Sequence, residues 1–262
     1  MAGVDDDLRA LRDACERALT GHGIQRADDL LATIPAGTAV DRYGEGGVVA
    51  DLETAIADVL GLAAAVYLPS GTMAQQAVLR VHAGRRGRRA VVFHPECHLD
   101  QHEGRALERL HGLIGRPVGD RNRLLERADL AAVAESPAAL VLELPQRDLG
   151  GQLPGWEELG AQTAWARERG AAAHLDGARL WEASTGYGRS PAEIAALFDT
   201  TYVSFYKGIG ALAGCCLAGP EDVIAEAERY DAELERIWSG VFGRFLDLAG
   251  PWEPAAALPL GA

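Results

Sequence analysis

From residue 47 onward, short apolar runs alternate with longer segments whose apolar residues recur at helical spacing. The runs are almost wholly apolar, as in Ala-Leu-Val-Leu-Glu-Leu at 139–144, which is typical of strands buried on both faces. Such strands alternating with helices predict an α/β fold with a mostly parallel sheet covered by helices on both faces. The predicted strands are 65–69, 90–93, 139–144, 171–176, 201–205 and 213–218; the predicted helices are 49–61, 72–82, 101–111, 191–197 and 220–237, with one more that carries Trp156, Leu159, Thr163 and Ala166.

The two ends of the chain differ from this alternating part. Leu8, Leu11 and Cys15 fall at helical spacing behind an acidic run, and a polar, glycine-rich connection follows. The last stretch is rich in Gly, Pro and Ala and has no clear periodicity. We therefore expect an N-terminal helix and connecting segment at 1–46, a large domain at 47–239 and an irregular tail at 240–262.

Composition narrows the class of protein. The 262 residues are 48% hydrophobic and 24% charged, which suits one large core or one core with a small appendage. The formal net charge of -13 opposes binding to nucleic acid or to an anionic membrane, since both need a clustered basic face. No apolar run approaches the roughly 20 residues that span a bilayer. The acidic N-terminus is unlike a signal peptide, and the four cysteines lack metal-binding or disulfide-framework spacing, so we expect a cytoplasmic protein.

Lys207 is the single lysine among 25 basic residues. Arginine can replace lysine as a solvated charge, but its guanidinium stays protonated, whereas a desolvated lysine amine can condense with a carbonyl. Lys207 follows an apolar segment and precedes a Gly-x-Gly turn, which would hold the amine at a strand end. The pattern favours covalent chemistry at Lys207; an arginine-biased composition with one surviving surface lysine is the alternative.

Two strand ends carry further candidates. Ser70-Gly-Thr72 leads from a strand into a helix, where exposed backbone amides form a phosphate site, although ordinary helix capping by Ser70 or Thr72 is the alternative. His174-Leu-Asp176 places both polar side chains on one side of a buried strand. A carboxylate there needs a partner, which is either a protonated pyridine nitrogen or Arg179 in a structural salt bridge.

His94, His98 and His102 recur at four-residue intervals, as metal ligands on one helix face do. Pro95 opposes a helix that runs through residue 94 and aligns all three rings. Zinc binding is therefore one interpretation. The favoured alternative is two surface histidines and one functional ring, without a metal.

Five segments, in this order and spacing, resemble the threonine aldolase and β-eliminating lyase group of fold-type-I pyridoxal-phosphate (PLP) enzymes. The resemblance covers roughly residues 40–225 and implies an aspartate aminotransferase-like large domain with a mostly parallel, seven-stranded type of sheet. It also implies PLP as cofactor, a small amino acid as substrate, and a homodimer or homotetramer with shared active sites. The segments are Arg42-Tyr-Gly-Glu45, Pro69-Ser-Gly-Thr-Met-Ala, Cys97-His98 to Glu103, His174-Leu-Asp-Gly-Ala-Arg179 and Ser204-Phe-Tyr-Lys-Gly-Ile-Gly210.

The resemblance also implies a role for each matched residue. Lys207 would hold PLP covalently, Asp176 would pair with its ring nitrogen, and His98 would stack on its ring and act as a base. The remaining expected contacts are Ser70, Gly71 and Thr72 to the phosphate, Arg179 to the substrate carboxylate or the phenolic oxygen of PLP, and Tyr43 and Gln146 to the substrate.

The chain departs from the family pattern at two places. Gln146 stands where the family has a histidine near the substrate hydroxyl, and glutamine can hydrogen-bond but cannot take the proton. The family's small C-terminal domain, which carries a further carboxylate-binding arginine, is not recognisable in 240–262. We expect that domain to be absent or truncated, and substrate binding to be weak.

The sequence therefore predicts a PLP-dependent lyase that cleaves the Cα–Cβ bond of a small β-hydroxy amino acid, as when threonine gives glycine and acetaldehyde. Another PLP-dependent β-eliminating lyase on the same fold is the nearest alternative. A truncated PLP-binding pseudo-enzyme that acts through subunit association is a second, and a metal enzyme built on the three histidines is a third.

Overall fold

The computed structural model describes residues 26–39 and 46–230. These residues form an α/β fold in which seven strands alternate with helices. The strands are β1 (Ala64–Leu68), β2 (Ala90–Phe93), β3 (Ile114–Pro117), β4 (Ala139–Glu143), β5 (Ala172–Gly177), β6 (Thr200–Ser204) and β7 (Cys215–Gly219). The helices are α1 (Ala27–Leu31), α2 (Val48–Leu60), α3 (Gly71–Arg86), α4 (His98–Gln101), α5 (Ala106–His111), α6 (Trp156–Glu168), α7 (Leu180–Tyr187), α8 (Pro191–Ala195) and α9 (221–230).

The seven strands form one sheet in the order β1-β7-β6-β5-β4-β2-β3. β7 pairs antiparallel with both of its neighbours, and the pairs from β6 through to β3 are all parallel. The expected mostly parallel sheet is therefore confirmed. Because the carboxyl ends of parallel strands lie at the same edge of a sheet, the loops that follow β4, β5 and β6 lie next to one another at that edge.

Helices cover both faces of the sheet, and each face has its own core. On one face α3 packs with Val91 and Val141; on the other, α2, α6, α7 and α8 pack with Val92 and Leu140. Neighbouring strand residues thus enter opposite cores, as the two-residue period of a strand requires. This burial on both sides explains why the strands are almost wholly apolar.

The structure corrects the predicted elements at four places, one of which is helix α1 (Ala27–Leu31) within the predicted connecting segment. Helix 101–111 is wrong as a single element, since α4 and α5 are separated where Gly104 and Arg105 adopt positive φ angles of 58° and 61°. Strand β3 and helix α7 were not predicted. The predicted N-terminal helix, Tyr43 and the tail at 240–262 lie outside the described residues, so the three-part division of the chain stays a prediction. No helix in the described part of the chain is long and apolar enough to cross a membrane.

Candidate active site

The carboxyl ends of β4, β5 and β6 bring most of the predicted functional side chains to one edge of the sheet. Glu143 ends β4 and pairs with Asp176 on β5, which in turn pairs with Tyr202 on β6. Lys207 follows β6 in the loop that leads to β7. Open α/β sheets bind ligands outside the carboxyl ends of their strands, which makes this edge the candidate site.

Helix α3 begins at this edge with Gly71, at a position where a larger residue would collide with Tyr202. A β-carbon on Gly71 would overlap the hydroxyl of Tyr202, so the first turn of α3 and that side chain approach each other closely. Burial, and then the charge of Asp176, raise the pKa of Tyr202, which keeps its hydroxyl protonated. The hydroxyls of Tyr202 and Ser204 are buried and find no hydrogen-bond partner of ordinary geometry among the described residues. The Ser204 hydroxyl lies close enough to Tyr202 to lower its pKa slightly against these larger effects, and both hydroxyls could also bind a ligand.

The two hydroxyls before and after Gly71 do not cap the helix. Ser70 occupies the N-cap position with an extended backbone, but its side chain makes no capping hydrogen bond. Thr72 is partly exposed in the first turn of α3. The first amides of a 16-residue helix, with Ser70 and Thr72 beside them, are thus available to an anion such as a phosphate.

Asp176 is 1% exposed and is held by two donors. Gln75 Nε2 donates to Asp176 Oδ2 at 2.5 Å, and the Ala178 backbone N–H donates to Asp176 Oδ1 at 3.1 Å. The described ion pairs do not include Asp176 with Arg179, so the structural salt bridge considered above is wrong. The carboxylate has both oxygens engaged by neutral donors and keeps lone pairs for a cationic group.

His98 is oriented by a buried carboxylate. Its Nδ1 lies 3.2 Å from Glu103 Oε1, and the second oxygen of Glu103 accepts from Gln76 at 2.7 Å. The hydrogen bond to Glu103 raises the pKa of His98, with a smaller contribution from the charge of Asp176, while burial opposes the shift. Nε2 of His98 makes no hydrogen bond with the described residues, which leaves that atom free to contact a ligand or to move a proton.

Lys207 lies in the loop between β6 and β7, and this loop packs against α7. The loop is pinned where the Phe205 N–H donates to the Gly214 carbonyl at 3.1 Å. A β-carbon on Gly208 would lie 2.6 Å from Glu182 Oε2 and 2.9 Å from Trp181 Cδ1, which explains the glycine after the lysine. Burial is the main cause that lowers the pKa of Lys207; nearby guanidiniums act in the same direction and nearby carboxylates against it. Lowering the pKa favours the neutral amine that condenses with a carbonyl.

Of the predicted substrate-binding residues, Arg179 has a guanidinium available for a ligand, whereas the side chain of Gln146 is already hydrogen-bonded. Arg179 is half-buried just before α7, close enough for its charge to lower the pKa values of Lys207 and Tyr206. Within the described ranges its guanidinium makes no hydrogen bond or ion pair. Gln146 is 4% exposed, and its Nε2 donates to the Glu96 carbonyl at 2.9 Å and lies 3.3 Å from Glu143 Oε2. Gln146 therefore contacts the site residue Glu143, and its NH₂ group is already used in these contacts.

Glu143 is a site residue that sequence reasoning missed. It accepts hydrogen bonds from the backbone N–H groups of His98 and Arg147, both at 3.2 Å. Burial, followed by the charge of the adjacent Asp176, raises the pKa of Glu143 to about 7. A carboxyl group that titrates near neutrality beside Asp176 can hold or release a proton. The available signal was a glutamate near the end of an otherwise apolar strand.

Gln75 and Glu103 were missed for a similar reason. Their partners, Asp176 and His98, could be identified in the sequence as candidate site residues. The local sequence does not show which polar residue on α3, or after α4, points into the interior to meet them. Their burial in apolar surroundings is visible only in the fold.

The three spaced histidines do not form a common ligand set. Both ring nitrogens of His94 are engaged by backbone groups, with Nδ1 accepting from the Glu96 N–H at 3.0 Å. His102 is exposed and its Nε2 lies 2.9 Å from Asp148 Oδ2. His94 is thus a core residue, whereas the sequence placed it at the surface. No cluster of three or more potential metal-ligating side chains occurs in the described part of the chain.

Comparisons with known proteins identify the family to which the chain belongs. The sequence profile described as beta-eliminating lyase matches residues 21–236. A solved structure described as a putative L-allo-threonine aldolase from Listeria monocytogenes EGD-E superposes with a TM-score of 0.82 and 42% identity. The match covers 88% of this chain and 65% of that one.

Two curated relatives extend the comparison. Aldolase vrtJ of Penicillium aethiopicum is 34% identical over 204 residues, which cover 74% of this chain and 52% of the relative. The low specificity L-threonine aldolase of Escherichia coli K12 is 30% identical over 77% of this chain and 61% of its own length. The chain spans about half the length of the first curated relatives that it matches.

Proposed function

The chain belongs to the beta-eliminating lyase family, and from this premise we propose that it is a PLP-dependent lyase that cleaves the Cα–Cβ bond of a small β-hydroxy amino acid such as threonine. The fold is that of threonine aldolase structures, and lyase chemistry on amino acids is the family's activity. The cofactor, the substrate and the bond cleaved are all parts of this proposal.

The residues at the candidate site fit PLP. The first turn of α3 suits the phosphate, because its backbone amides are available beside Ser70 and Thr72 and the Tyr202 hydroxyl packs against Gly71. Asp176 would face the ring nitrogen, His98 the ring, and Lys207 the carbonyl carbon. PLP, when bound, supplies an electron sink that stabilises negative charge at Cα.

The side chains of this protein supply the remaining steps. Asp176, fixed in place by its two donors, would face the pyridine nitrogen and favour its protonated form. Lys207, whose pKa is lowered by burial, would lose its proton more readily than an exposed lysine and so supply the amine. His98, whose Nδ1 is fixed by Glu103, would accept a proton at Nε2 and later return it. Arg179, unpaired within the described ranges, would bind the substrate carboxylate.

The proton of the substrate hydroxyl needs an acceptor other than Gln146. An amide cannot take it, and the NH₂ group of Gln146 is already directed at Glu96 and Glu143. His98 and Glu143 are the neighbouring groups that can accept a proton. We assign the role to His98 because its Nε2 makes no hydrogen bond with the described residues, whereas both oxygens of Glu143 accept backbone donors.

The active protein is proposed to be a homodimer or a homotetramer. Tyr206, Ile209 and Leu212 on the Lys207 loop are 44%, 52% and 59% exposed. Apolar side chains exposed together next to a site are typical of a surface that a second subunit covers. The cytoplasmic location expected from the sequence stays a prediction.

The observation that carries the proposal is that the chain's single lysine lies at the same sheet edge as Asp176 and the start of α3, with its pKa lowered by burial. The test is to add PLP, record visible absorbance, reduce with borohydride and map the labelled peptide. Lys207→Arg is the matched control, since it keeps the charge but cannot condense. We expect the label on Lys207 in the parent and none in the variant; a label elsewhere, or none, contradicts PLP chemistry here.

Products then separate the lyase reactions. The protein incubated with threonine or allo-threonine should release glycine and acetaldehyde in equal amounts. Release of a keto acid and ammonia would instead assign β-elimination. Firm PLP binding with no product from a panel of small amino acids would favour the pseudo-enzyme interpretation.

A further inference from the structure

Beneath α3, six polar side chains form one continuous hydrogen-bonded chain, which we call the relay: Asp176, Gln75, His174, Thr200, His82 and Arg86. Gln75, His82 and Arg86 lie along one stripe of α3, and the other three lie on β5 and β6. From Asp176, the successive distances are 2.5 Å to Gln75 Nε2, 3.0 Å from Gln75 Oε1 to His174 Nε2, and 2.8 Å from His174 Nδ1 to Thr200 Oγ1. They continue with 2.9 Å from Thr200 Oγ1 to His82 Nε2, and 3.3 Å from His82 Nδ1 to Arg86 Nη1.

The end of the relay at Asp176 fixes the position of every proton in it. An ionised carboxylate only accepts, so the amide nitrogen of Gln75 must face it, and Oε1 must then accept from His174 Nε2–H. A neutral His174 that donates from Nε2 can only accept at Nδ1, so the Thr200 hydroxyl donates there. Thr200 Oγ1 in turn accepts from His82 Nε2–H, which leaves His82 Nδ1 as an acceptor.

The opposite end requires the same arrangement independently. Arg86 has donors only, so its guanidinium must donate to His82 Nδ1. The donor-only and acceptor-only ends are therefore compatible with all five links running in one direction. A charge on either imidazole, or a proton on the facing oxygen of Asp176, would place two donors against each other.

Burial makes this direction costly to break. Gln75, His174, Thr200, Asp176 and His82 are at most 2% exposed, and a buried polar group without its partner is strongly disfavoured. Burial lowers the pKa of His174 to about 4 and lowers that of His82 well below its usual value, so both rings are neutral near pH 7. The relay ends at Arg86, which also donates to the Gly170 carbonyl at 3.0 Å and lines an open cleft at the far end of the sheet.

We propose that Gln75 and His174 are positioning residues that hold Asp176 as a fixed hydrogen-bond acceptor, through a one-way relay that Thr200 and His82 anchor on Arg86. This deepens the proposed function, because the Asp176 carboxylate is the group that would face the ring nitrogen of PLP. The relay itself is a property of the folded chain and can be measured without the cofactor.

The first measurement is ¹⁵N NMR of the full-length, cofactor-free protein labelled at histidine, near pH 7. Signals of His174 and His82 are assigned from their loss in His174→Gln and His82→Gln. We expect both rings to be neutral and protonated at Nε2. A charged ring, or a proton on Nδ1 of either ring, would overturn the relay as drawn.

The second measurement is the PLP dissociation constant of relay variants. Gln75→Leu removes the donor to Asp176 and should weaken PLP binding by about tenfold to a hundredfold, the range for one hydrogen bond to a charged group. Gln162→Leu is the matched control: it removes an equally buried glutamine on the opposite face, bonded to the Leu125 carbonyl. Equal weakening in both variants would mean that general destabilisation, rather than the relay, is responsible.

A break in the middle of the relay gives a conservative comparison. Thr200→Val keeps the shape but removes the hydroxyl, whereas Thr200→Ser keeps the hydroxyl. We expect the valine variant to weaken PLP binding several-fold and to move the His174 Nδ1 resonance toward that of a nitrogen without a donor, and the serine variant to restore both. Identical behaviour of the two variants would refute transmission through Thr200.

The two hypotheses fail in different ways. If the histidine tautomers are as drawn but no PLP binds to the parent, the proposed function is wrong and the relay stands. If PLP binds at Lys207 but Gln75→Leu binds it as tightly as the parent, the positioning role is wrong and the proposed function stands.

Discussion

Nδ1 of His98 lies 3.2 Å from Oε1 of Glu103, a carboxylate whose side chain is 1% exposed. The hydrogen bond to Glu103 occupies Nδ1 of the ring, and Nε2 remains available at the site. Since hydrogen bonding to Glu103 is the main cause that raises the pKa of His98, the acid–base behaviour of the ring depends on this buried carboxylate.

Glu103→Gln should therefore lower the pKa of His98, because the amide keeps a hydrogen bond but removes the negative charge. Proton NMR of the imidazole C–H signals over a pH series measures this shift directly. Activity should fall by at least about tenfold, since an acid–base group contributes roughly 10²–10⁴-fold and its orientation is disturbed. Glu108→Gln, a control on α5, should leave the His98 titration unchanged; an unchanged titration in Glu103→Gln would mean that the pair does not control His98.

Asp176→Asn should retain some PLP but lose turnover by about a hundredfold or more, the scale on which one preorganised charged group acts. The amide keeps the size of the side chain but cannot hold a pyridine nitrogen protonated. Steady-state rates and the PLP dissociation constant, measured on the same preparation, separate the two effects. Rates near those of the parent would assign Asp176 a structural role only.

Gly71→Ala should weaken PLP binding and destabilise the fold, because the new methyl group would overlap the Tyr202 hydroxyl and ring carbons. Overpacking of this kind costs about 1–3 kcal/mol in the free energy of unfolding. Gly84→Ala is the matched control on the same helix, where a β-carbon would meet nothing within 4 Å. We expect it to be neutral or to stabilise by up to about 1 kcal/mol, and equal effects in the two variants would contradict the close approach at Gly71.

The sequence predicted the central elements because burial on both faces gives them an unambiguous apolar pattern, as at 90–93 and 139–143. It missed β3, an edge strand whose Ile114-Gly-Arg-Pro117 sequence contains two residues that disfavour strands. It also missed α7, whose N-cap residue Arg179 makes no capping hydrogen bond and which contains Thr185 and Gly186. Weak local patterns of this kind become regular structure only through tertiary packing.

Some residues of the candidate site could likewise be predicted from the sequence, and others could not. Lys207 and Asp176 could be identified from the sequence because an isolated amine and a carboxylate in a buried strand are chemically unusual. Their supporting groups could not, since Gln75 contacts Asp176 across 101 positions in the chain. The phosphate-binding role expected of Ser70 and Thr72 stays a prediction, although the absence of a side-chain cap at Ser70 removes the main alternative.

His174 should make the stability of the protein depend on pH in the window between about 4 and 6.5. Burial lowers its pKa from 6.5 to about 4, so the unfolded chain binds a proton in this window that the folded chain does not. The free energy of unfolding therefore has its full value, as far as His174 is concerned, above pH 6.5. It decreases as the pH falls, by about 3 kcal/mol at pH 4, since each pKa unit corresponds to roughly 1.4 kcal/mol. His82 acts in the same direction, as its pKa is also lowered by burial. Urea unfolding of the parent and of His174→Gln at a series of pH values tests the claim: the variant, whose amide cannot titrate, should lose less stability between pH 7 and 4, and parallel losses would show that His174 is not a neutral buried ring.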